Sequence, residues 1–535
     1  MGHFCSFLCC FCALFSSGCG QGGGKPTATG TALRIGNSTE PQTLDPQMAM
    51  DLQQIAIARG LFEGLILLDE KTLTPMPGAA ERWEISEDGR TYTFFLRANG
   101  RWSSGNPLAA WDFAYAIRRI LSPELASPAV SLLFPLEGAR EFYEGNVPWE
   151  TVGVRVPDTH CLELTLRKPT PYFLSLLAHP AWSPLCRENV EAHGDMTQRD
   201  TPWTRAGNLV SNGPYRLLAW RVGDRVLLGK NPFHWADLEG APDTVAFYPI
   251  GDVATEQNAY ENGELDITAT IPPSHIEGIR RKDPESLREV EGLGAFYYMF
   301  NCETSSLANR HLRRALALAI DRGELCQLLG REERFVAGNL VPPGVGGYTY
   351  GGERVIFNPE AARKELALAG YGSGASVPPL QLTFNTAQQH RMIAQAVQEM
   401  WRRELGIAIE LRSEEWKSFL LTRRTGNFSI ARGGWIGDYN DPLTFLELFR
   451  SDGTNNFTRW KNSAFDGALD GAEAATSSAE RLRHFQEAEV ILMREMPILP
   501  LYFETNKHRV SPRLRGWFPN LIDYHLYQNM RLSSE

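Results

Sequence analysis

In NFSIARGGWIGDYNDPLTFLELF, residues Asn427 to Phe449, Phe428, Ile430 and Arg432 alternate with Asn427, Ser429 and Ala431. That is the period of a strand with one buried face. It carries Arg432 to the apolar side, where a guanidinium is unstable unless it meets an anion. Gly433 and Gly434 then withdraw side chains from the strand, as happens where another backbone approaches closely. Trp435 follows, and Asp438 stands in a Gly-Asp-Tyr-Asn-Asp-Pro turn. One short segment thus offers a cation, bare strand main chain, an aromatic and an anion, a set that suits a zwitterionic extended peptide. Two plainer readings stand beside it: Asp438 as an ordinary turn residue, and Arg432 as the partner of an internal carboxylate.

The rest of the composition narrows the class. A chain of 535 residues can hold about two to four domains around a sizeable core. Its 43% hydrophobic and 22% charged residues are those of a globular protein. A net charge of −10, with no basic stripe, excludes nucleic acid as the expected partner. Cys161, Cys186, Cys302 and Cys326 lack the CxxC spacing of a zinc site, and buried thiols or one disulfide remain open. The eleven histidines are scattered, and neither Gly-x-Ser-x-Gly nor His-Glu-x-x-His occurs. No enzyme, metal or cofactor is therefore expected.

At the N-terminus, Phe4 to Phe15 is an apolar run too short to span a bilayer and suited to a signal-peptide core. Ser16-Ser17-Gly18-Cys19 resembles a bacterial lipobox, in which Cys19 carries lipid, although Ser16 replaces the usual Leu and no Lys or Arg precedes the core. Residues 20–32 read as a flexible tether.

Several motifs along the chain point one way. Trp102-Ser103-Ser104-Gly105 precedes a helix opening Asp112-Phe113-Ala114-Tyr115. Ser211-Asn212-Gly213-Pro214-Tyr215 and Lys230-Asn231-Pro232-Phe233-His234-Trp235 follow, and then a helix over 255–262 closed by Gly263-Glu264-Leu265-Asp266. Trp460 to Asp466 and Met496 to Tyr502 complete the series. Together with Arg432 to Pro442, these resemble the oligopeptide-binding proteins of ABC importers, solute-binding family 5 of the oligopeptide/dipeptide type, over about residues 33 to 530.

The resemblance implies an α/β fold, a two-lobed periplasmic binding protein (class II, cluster C type) with a two-strand hinge and an extra inserted small domain. The implied boundaries are signal peptide 1–19, tether 20–32, lobe I from 33–52, 192–293 and 506–535, extra domain 53–191, and lobe II 294–505. It implies a monomeric, extracytoplasmic protein, anchored through Cys19, that binds short peptides and delivers them to permease subunits. Asp438 would take the peptide α-ammonium, with Glu40 near the same end and Tyr115 within reach of the ligand. Gly434, Trp435 and Ile436 would meet the peptide main chain by strand addition. Arg423, Arg432 and His390 would take the terminal carboxylate of ligands of different length.

Each has a plainer counterpart. Glu40 reads equally as a polar loop residue, and Tyr115 as core packing at helical spacing. His390 shares a stripe with Ile393, Val397 and Trp401, as a core-edge histidine would. Arg423 lies on the face of Trp416, Phe419 and Leu420, and could oppose a helix dipole. In one respect the chain departs from the enteric proteins it resembles: their disulfide positions fall on Gly294 and Ile436, so that bridge is absent. Another cargo on the same scaffold (a dipeptide, cell-wall peptide, nickel chelate, haem or sugar) and a sensor or chaperone role are the alternatives. Locally, Gly64, Thr386 and Ser413 are expected to cap helices, and a strand covered on both faces is expected from Ala295 to Asn301.

Overall fold

The computed structural model describes residues 31–49, 51–372, 376–437, 439–475 and 477–533. The signal core, Cys19, residues 20–30 of the tether and Asp438 lie outside the described residues.

Three sheets of four or five strands organise the chain. In the first, the order is Ala32–Gly36, Thr244–Tyr248, Arg225–Lys230, Tyr215–Arg221, with only the first pair parallel. In the second, Ala80–Ile85, Thr91–Leu96, Cys161–Thr165 and Val154–Asp158 form an antiparallel sheet. Its apolar face, with Tyr92, Phe94 and Leu164, packs on Phe113, Ile117 and Ile120 of the helix Ala110–Leu121. The third runs Ile409–Glu414, Leu380–Asn385, Ile430–Ile436, Leu287–Phe300, Ile498–Arg509. Both its faces are covered. Phe296, Tyr298 and Phe300 meet Ile393, Val397 and Trp401 of the helix Gln388–Leu405 on one side. Tyr297 and Met299 meet Phe449, Phe485 and Leu492 on the other.

The two long strands of this sheet are also the hinge. Leu287–Phe300 and Ile498–Arg509 pair antiparallel from Leu287↔Arg509 to Met299↔Ile498, with a register shift between Glu291 and Ala295. Beyond their outer end, Val510 bridges Ile267, which in turn bridges Ile35 of the first sheet. Thr268 and Arg509 exchange two further hydrogen bonds, of 3.0 and 2.9 Å. The strand thus begins eight residues or so before the expected Ala295. Arg288, Glu289 and Glu291 hide it from an apolar pattern, because this stretch is held by main-chain pairing and half-exposed.

Three expected caps are corrected. The helix Leu52–Leu61 ends at Phe62, and Gly64 instead admits the Leu177 carbonyl, which a Cβ would meet at 2.8 Å. Thr386 bonds Ser413 and the Glu414 carbonyl, while the following helix has Ala387 at its N-cap. Ser413 lies in the strand Ile409–Glu414, and Glu415 caps the helix Trp416–Thr425 by accepting from Lys417 N–H. Asx and Ser/Thr side chains near a helix start compete for several backbone donors, so position alone does not choose among them.

At the end of the hinge near the Val510–Ile267 bridge, His508 is held doubly protonated by its neighbours. Its Nδ1 lies 2.8 Å from the Thr268 carbonyl and its Nε2 3.1 Å from Asp523 Oδ1. Both partners only accept, so both ring nitrogens donate. His525 donates to the same Asp523 oxygen at 2.7 Å. Despite burial, the Asp523 carboxylate raises His508 to about 9, and the two histidines hold Asp523 well below the usual carboxylate range. A histidine raised in the folded state contributes its full stability below its ordinary pKa near 6.5 and loses it as pH rises through the folded value. Urea unfolding midpoints are therefore expected to fall between pH 6.5 and about 9, and His508→Gln should flatten that slope. An unchanged slope in the variant would contradict this account.

Candidate functional site

The strand Ile430–Ile436 is fully paired on one edge and largely open on the other. Along Leu287–Phe300 its partners run from Phe300↔Ile430 to Gly294↔Ile436. Along Leu380–Asn385 it pairs only through Ile430 and Ala431. From Arg432 to Ile436 one row of main-chain donors and acceptors has no strand beside it among the described residues. Such an edge is a template for an added strand. The sequence leads to the expectation of a close backbone at Gly433, and this is corrected: what lies against it is the Tyr297 ring, which a Cβ there would overlap. Gly434 has only ordinary contacts around it, including Arg432 Nη2 at 3.5 Å. Trp435 is half-buried, its Nε1 donating to Thr444 Oγ1 at 3.2 Å, whereas Ile436 is 65% exposed.

Arg432 lies where the alternation put it. Its guanidinium carbon is 5.2 Å from the Phe296 ring centroid, and its Nε is buried with no hydrogen bond. Arg423, at the end of its helix, packs over Phe457 at 4.6 Å and Phe419 at 5.6 Å, and its Nε is likewise buried and unbonded. Neither has a carboxylate partner among the described residues. Burial pushes both pKa values down, and Arg432 further disfavours the charge on Arg423. Tyr298, directly opposite Arg432, has a buried hydroxyl without a partner. The fully buried arginines differ from these half-buried two. Arg119 pairs with Asp45 at 2.7 Å, Arg481 with Asp441 at 2.9 Å, and Arg322 donates to the carbonyls of Pro500, Ala317 and Ile320. Arg432 and Arg423 are half-buried, and each keeps guanidinium donors that no carboxylate among the described residues engages. Close enough to disfavour each other's charge, the two offer unused donors that an anion could take.

His390 joins this group. Its ring lies 5.8 Å from that of Phe296, and its Nδ1 3.2 Å from the Asn385 carbonyl. Burial, then Arg432, lowers its pKa below the ordinary histidine value, which favours the neutral ring at pH 7. Phe296, stacked on Tyr502 at 4.9 Å, is the floor on which Arg432 and His390 sit. Sequence reading missed Phe296, Tyr502, Arg331 and Glu504. The first two come from runs that read as core, and nothing local links them to Arg432.

Glu40 and Tyr115 are not brought to this group. Both Glu40 oxygens are engaged, by Trp220 Nε1 at 2.6 Å and Gly223 N–H at 3.0 Å. Tyr115 packs against the core of the first sheet, its buried hydroxyl without a hydrogen bond and raised in pKa chiefly by burial. Tyr439, the next residue in the chain after Asp438, stacks on Tyr172 at 4.2 Å. Gly294 and Ile436 are direct cross-strand partners, and Cys161, Cys186, Cys302 and Cys326 are free. Between the lobes lies a cavity of about 830 Å³, bounded by Asn37 and Thr270 on one side and by Arg331, Gln389 and Thr505 on the other.

Comparison with known proteins matches residues 74–457 to the family described as bacterial extracellular solute-binding proteins, family 5 middle. The chain belongs to that family. It is 34% identical over 493 residues to the periplasmic oligopeptide-binding protein OppA of Salmonella typhimurium, covering 90% of this chain and 88% of that one. It is 34% identical over 537 residues to the periplasmic murein peptide-binding protein MppA of Escherichia coli, covering 97% and 96%. A solved structure of MppA in its unliganded open form superimposes with a TM-score of 0.84 at 33% identity, covering 94% and 98%. A second, of the E. coli murein tripeptide binding protein, gives 0.75 at 32%, covering 95% and 99%. Like those family members, the chain has two lobes joined by paired strands. No helix among the described residues is long and apolar enough to cross a membrane.

Proposed function

We propose that this protein is the solute-binding component of an ABC importer, capturing extracytoplasmic oligopeptides by their main chain and termini and delivering them to permease subunits. One observation supports the reading: Arg432 and Arg423, half-buried and ion-paired to no carboxylate among the described residues, each carry a buried Nε without a hydrogen bond, and Arg432 lies on an unpaired strand edge. A peptide supplies both missing partners, its carboxylate for the guanidiniums and its backbone for the edge. His390 offers a further contact for a carboxylate at another depth. Asp438, two residues past the open edge, takes the α-ammonium. The export signal and the lipid on Cys19 hold the protein, as a monomer, outside the cytoplasm. Lobe I comprises 33–52, 192–293 and 506–535, the extra domain 53–191, and lobe II 294–505.

The likeness to the murein peptide-binding protein supports a second reading, in which the cargo is a cell-wall peptide. Native mass spectrometry of protein purified without refolding separates the two. Bound masses matching ordinary short peptides support the first, and masses requiring residues particular to cell walls support the second. A haem, metal chelate or sugar would overturn both.

A further inference from the structure

Ile436 is the most exposed residue of the strand Ile430–Ile436, at 65%, and its side chain is apolar. A single exposed aliphatic residue is ordinary on a protein surface. This one is set apart by its place on the open edge. Hydrogen bonds at the two ends of the pairing with Leu287–Phe300 fix which groups face that edge. The Ser429 carbonyl accepts from Asn301 N–H at 2.9 Å, and Gly437 N–H donates to the Leu293 carbonyl at 2.8 Å. Along an antiparallel pair, residues bonded to the partner strand alternate with residues whose N–H and C=O point away from it. Ala431, Gly433 and Trp435 therefore face Leu287–Phe300, and Arg432, Gly434 and Ile436 turn both groups to the open edge.

The same alternation puts these last three on one face of the sheet, that of Phe296, the cross-strand partner of Gly434. On that face the edge presents a guanidinium from Arg432, no side chain from Gly434 and one aliphatic group from Ile436. Behind Ile436, its partner Gly294 also lacks a side chain. A Cβ on Gly294 would stand 2.9 Å from Glu504 Cγ and 3.0 Å from Glu504 Cβ, so the next strand already fills that space. The partner strand thus offers Ile436 no side chain directly opposite, and the side left to cover it is the open one.

We infer that Ile436 is a specificity-determining residue that selects an apolar side chain at the first position of the ligand. This rests on the peptide reading above. A carboxylate at Arg432 sets the ligand antiparallel to the strand, with its amino end toward Ile436. A tripeptide so directed bonds two outward-facing residues when its first residue lies opposite Ile436 and its third opposite Gly434. Its carboxylate then reaches Arg432. Moved two residues further, it would run against Ile430 and Ala431, which already pair with Leu382 and Thr383. Directly opposite residues of an antiparallel pair hold their Cβ atoms about 5 Å apart on one face. A leucine in the first position therefore packs on Ile436. An asparagine of similar size sets its amide against a methyl group that cannot bond it.

The test is calorimetry with Leu-Ala-Ala, Asn-Ala-Ala, Ala-Ala-Leu and Ala-Ala-Asn, on the unmutated protein and on Ile436→Thr and Ile436→Val. The unmutated protein is expected to prefer Leu over Asn at the first position by about tenfold. Ile436→Thr should bring that ratio to within about twofold, and Ile436→Val should retain most of it. The ratio at the third position, opposite Gly434, should be the same in all three proteins. Three results would each overturn the inference: no first-position preference in the unmutated protein, an unchanged ratio in folded Ile436→Thr, or a third-position ratio that moves as much as the first. Failure of the unmutated protein to bind any of these peptides would instead overturn the peptide reading, and the inference with it.

Discussion

Replacing Arg432 by methionine is expected to weaken peptide binding by about 2–4 kcal/mol, a factor of roughly thirty to a thousand, without destabilising the unliganded protein. The first effect follows from leaving a buried ligand carboxylate without its guanidinium. The second follows from what Arg432 lacks. Its Nε has no hydrogen bond, and it is ion-paired to no carboxylate among the described residues, so its removal breaks no salt bridge. Methionine fills much of the space against Phe296, and the urea midpoint should hold or rise. Arg119→Met is the control. That substitution leaves Asp45, buried beside Gln47, without its cation, and should lower stability by about 3–5 kcal/mol. Calorimetry and urea titration on both variants decide the matter. A loss of stability in Arg432→Met as large as that in Arg119→Met would mean that Arg432 is a structural residue.

Asp438→Asn is expected to weaken binding of peptides with a free amine by about 2–4 kcal/mol, because a desolvated ammonium loses its charged partner while the amide keeps its shape. N-acetylated peptides carry no such charge and should lose little. The variant therefore narrows the gap between the two peptide forms, and a titration of each form against each protein reads that gap. Equal losses for both forms would assign Asp438 to the turn itself, the plainer role that a Gly-Asp-Tyr-Asn-Asp-Pro sequence also allows.

Much of this site was legible because its residues follow one another in the chain. The alternation through Phe428, Ile430 and Arg432 identified both a strand and a cation on its apolar side, and the orphaned Nε of Arg432 accords with that placement. His390 was placed on its helix by the stripe it shares with Ile393 and Val397, and it does face Phe296. What the residues alone did not disclose depends on pairing between distant segments. The open edge at 432–436 exists because Leu380–Asn385 parts from its neighbour after Thr383, a property of register rather than composition. The hinge strand hides behind Arg288, Glu289 and Glu291 because its pairing is through the main chain. Glu504 reads as one polar residue after an apolar run, and only Gly294, more than two hundred residues earlier, reveals that room was made for it. Glu40 was legible as a conspicuous carboxylate in a loop, but its partners Trp220 and Gly223 lie in a hairpin that no local pattern connects to it.

The central claim is that a ligand is held by opposite charges at its two ends, with main chain against main chain between them. Titration of the unmutated protein with a tripeptide having both ends free, with its N-acetylated form and with its C-terminal amide tests this most directly. The account predicts tight binding of the free form and a loss of about 2–4 kcal/mol on blocking either end. Equal affinity for all three would contradict it.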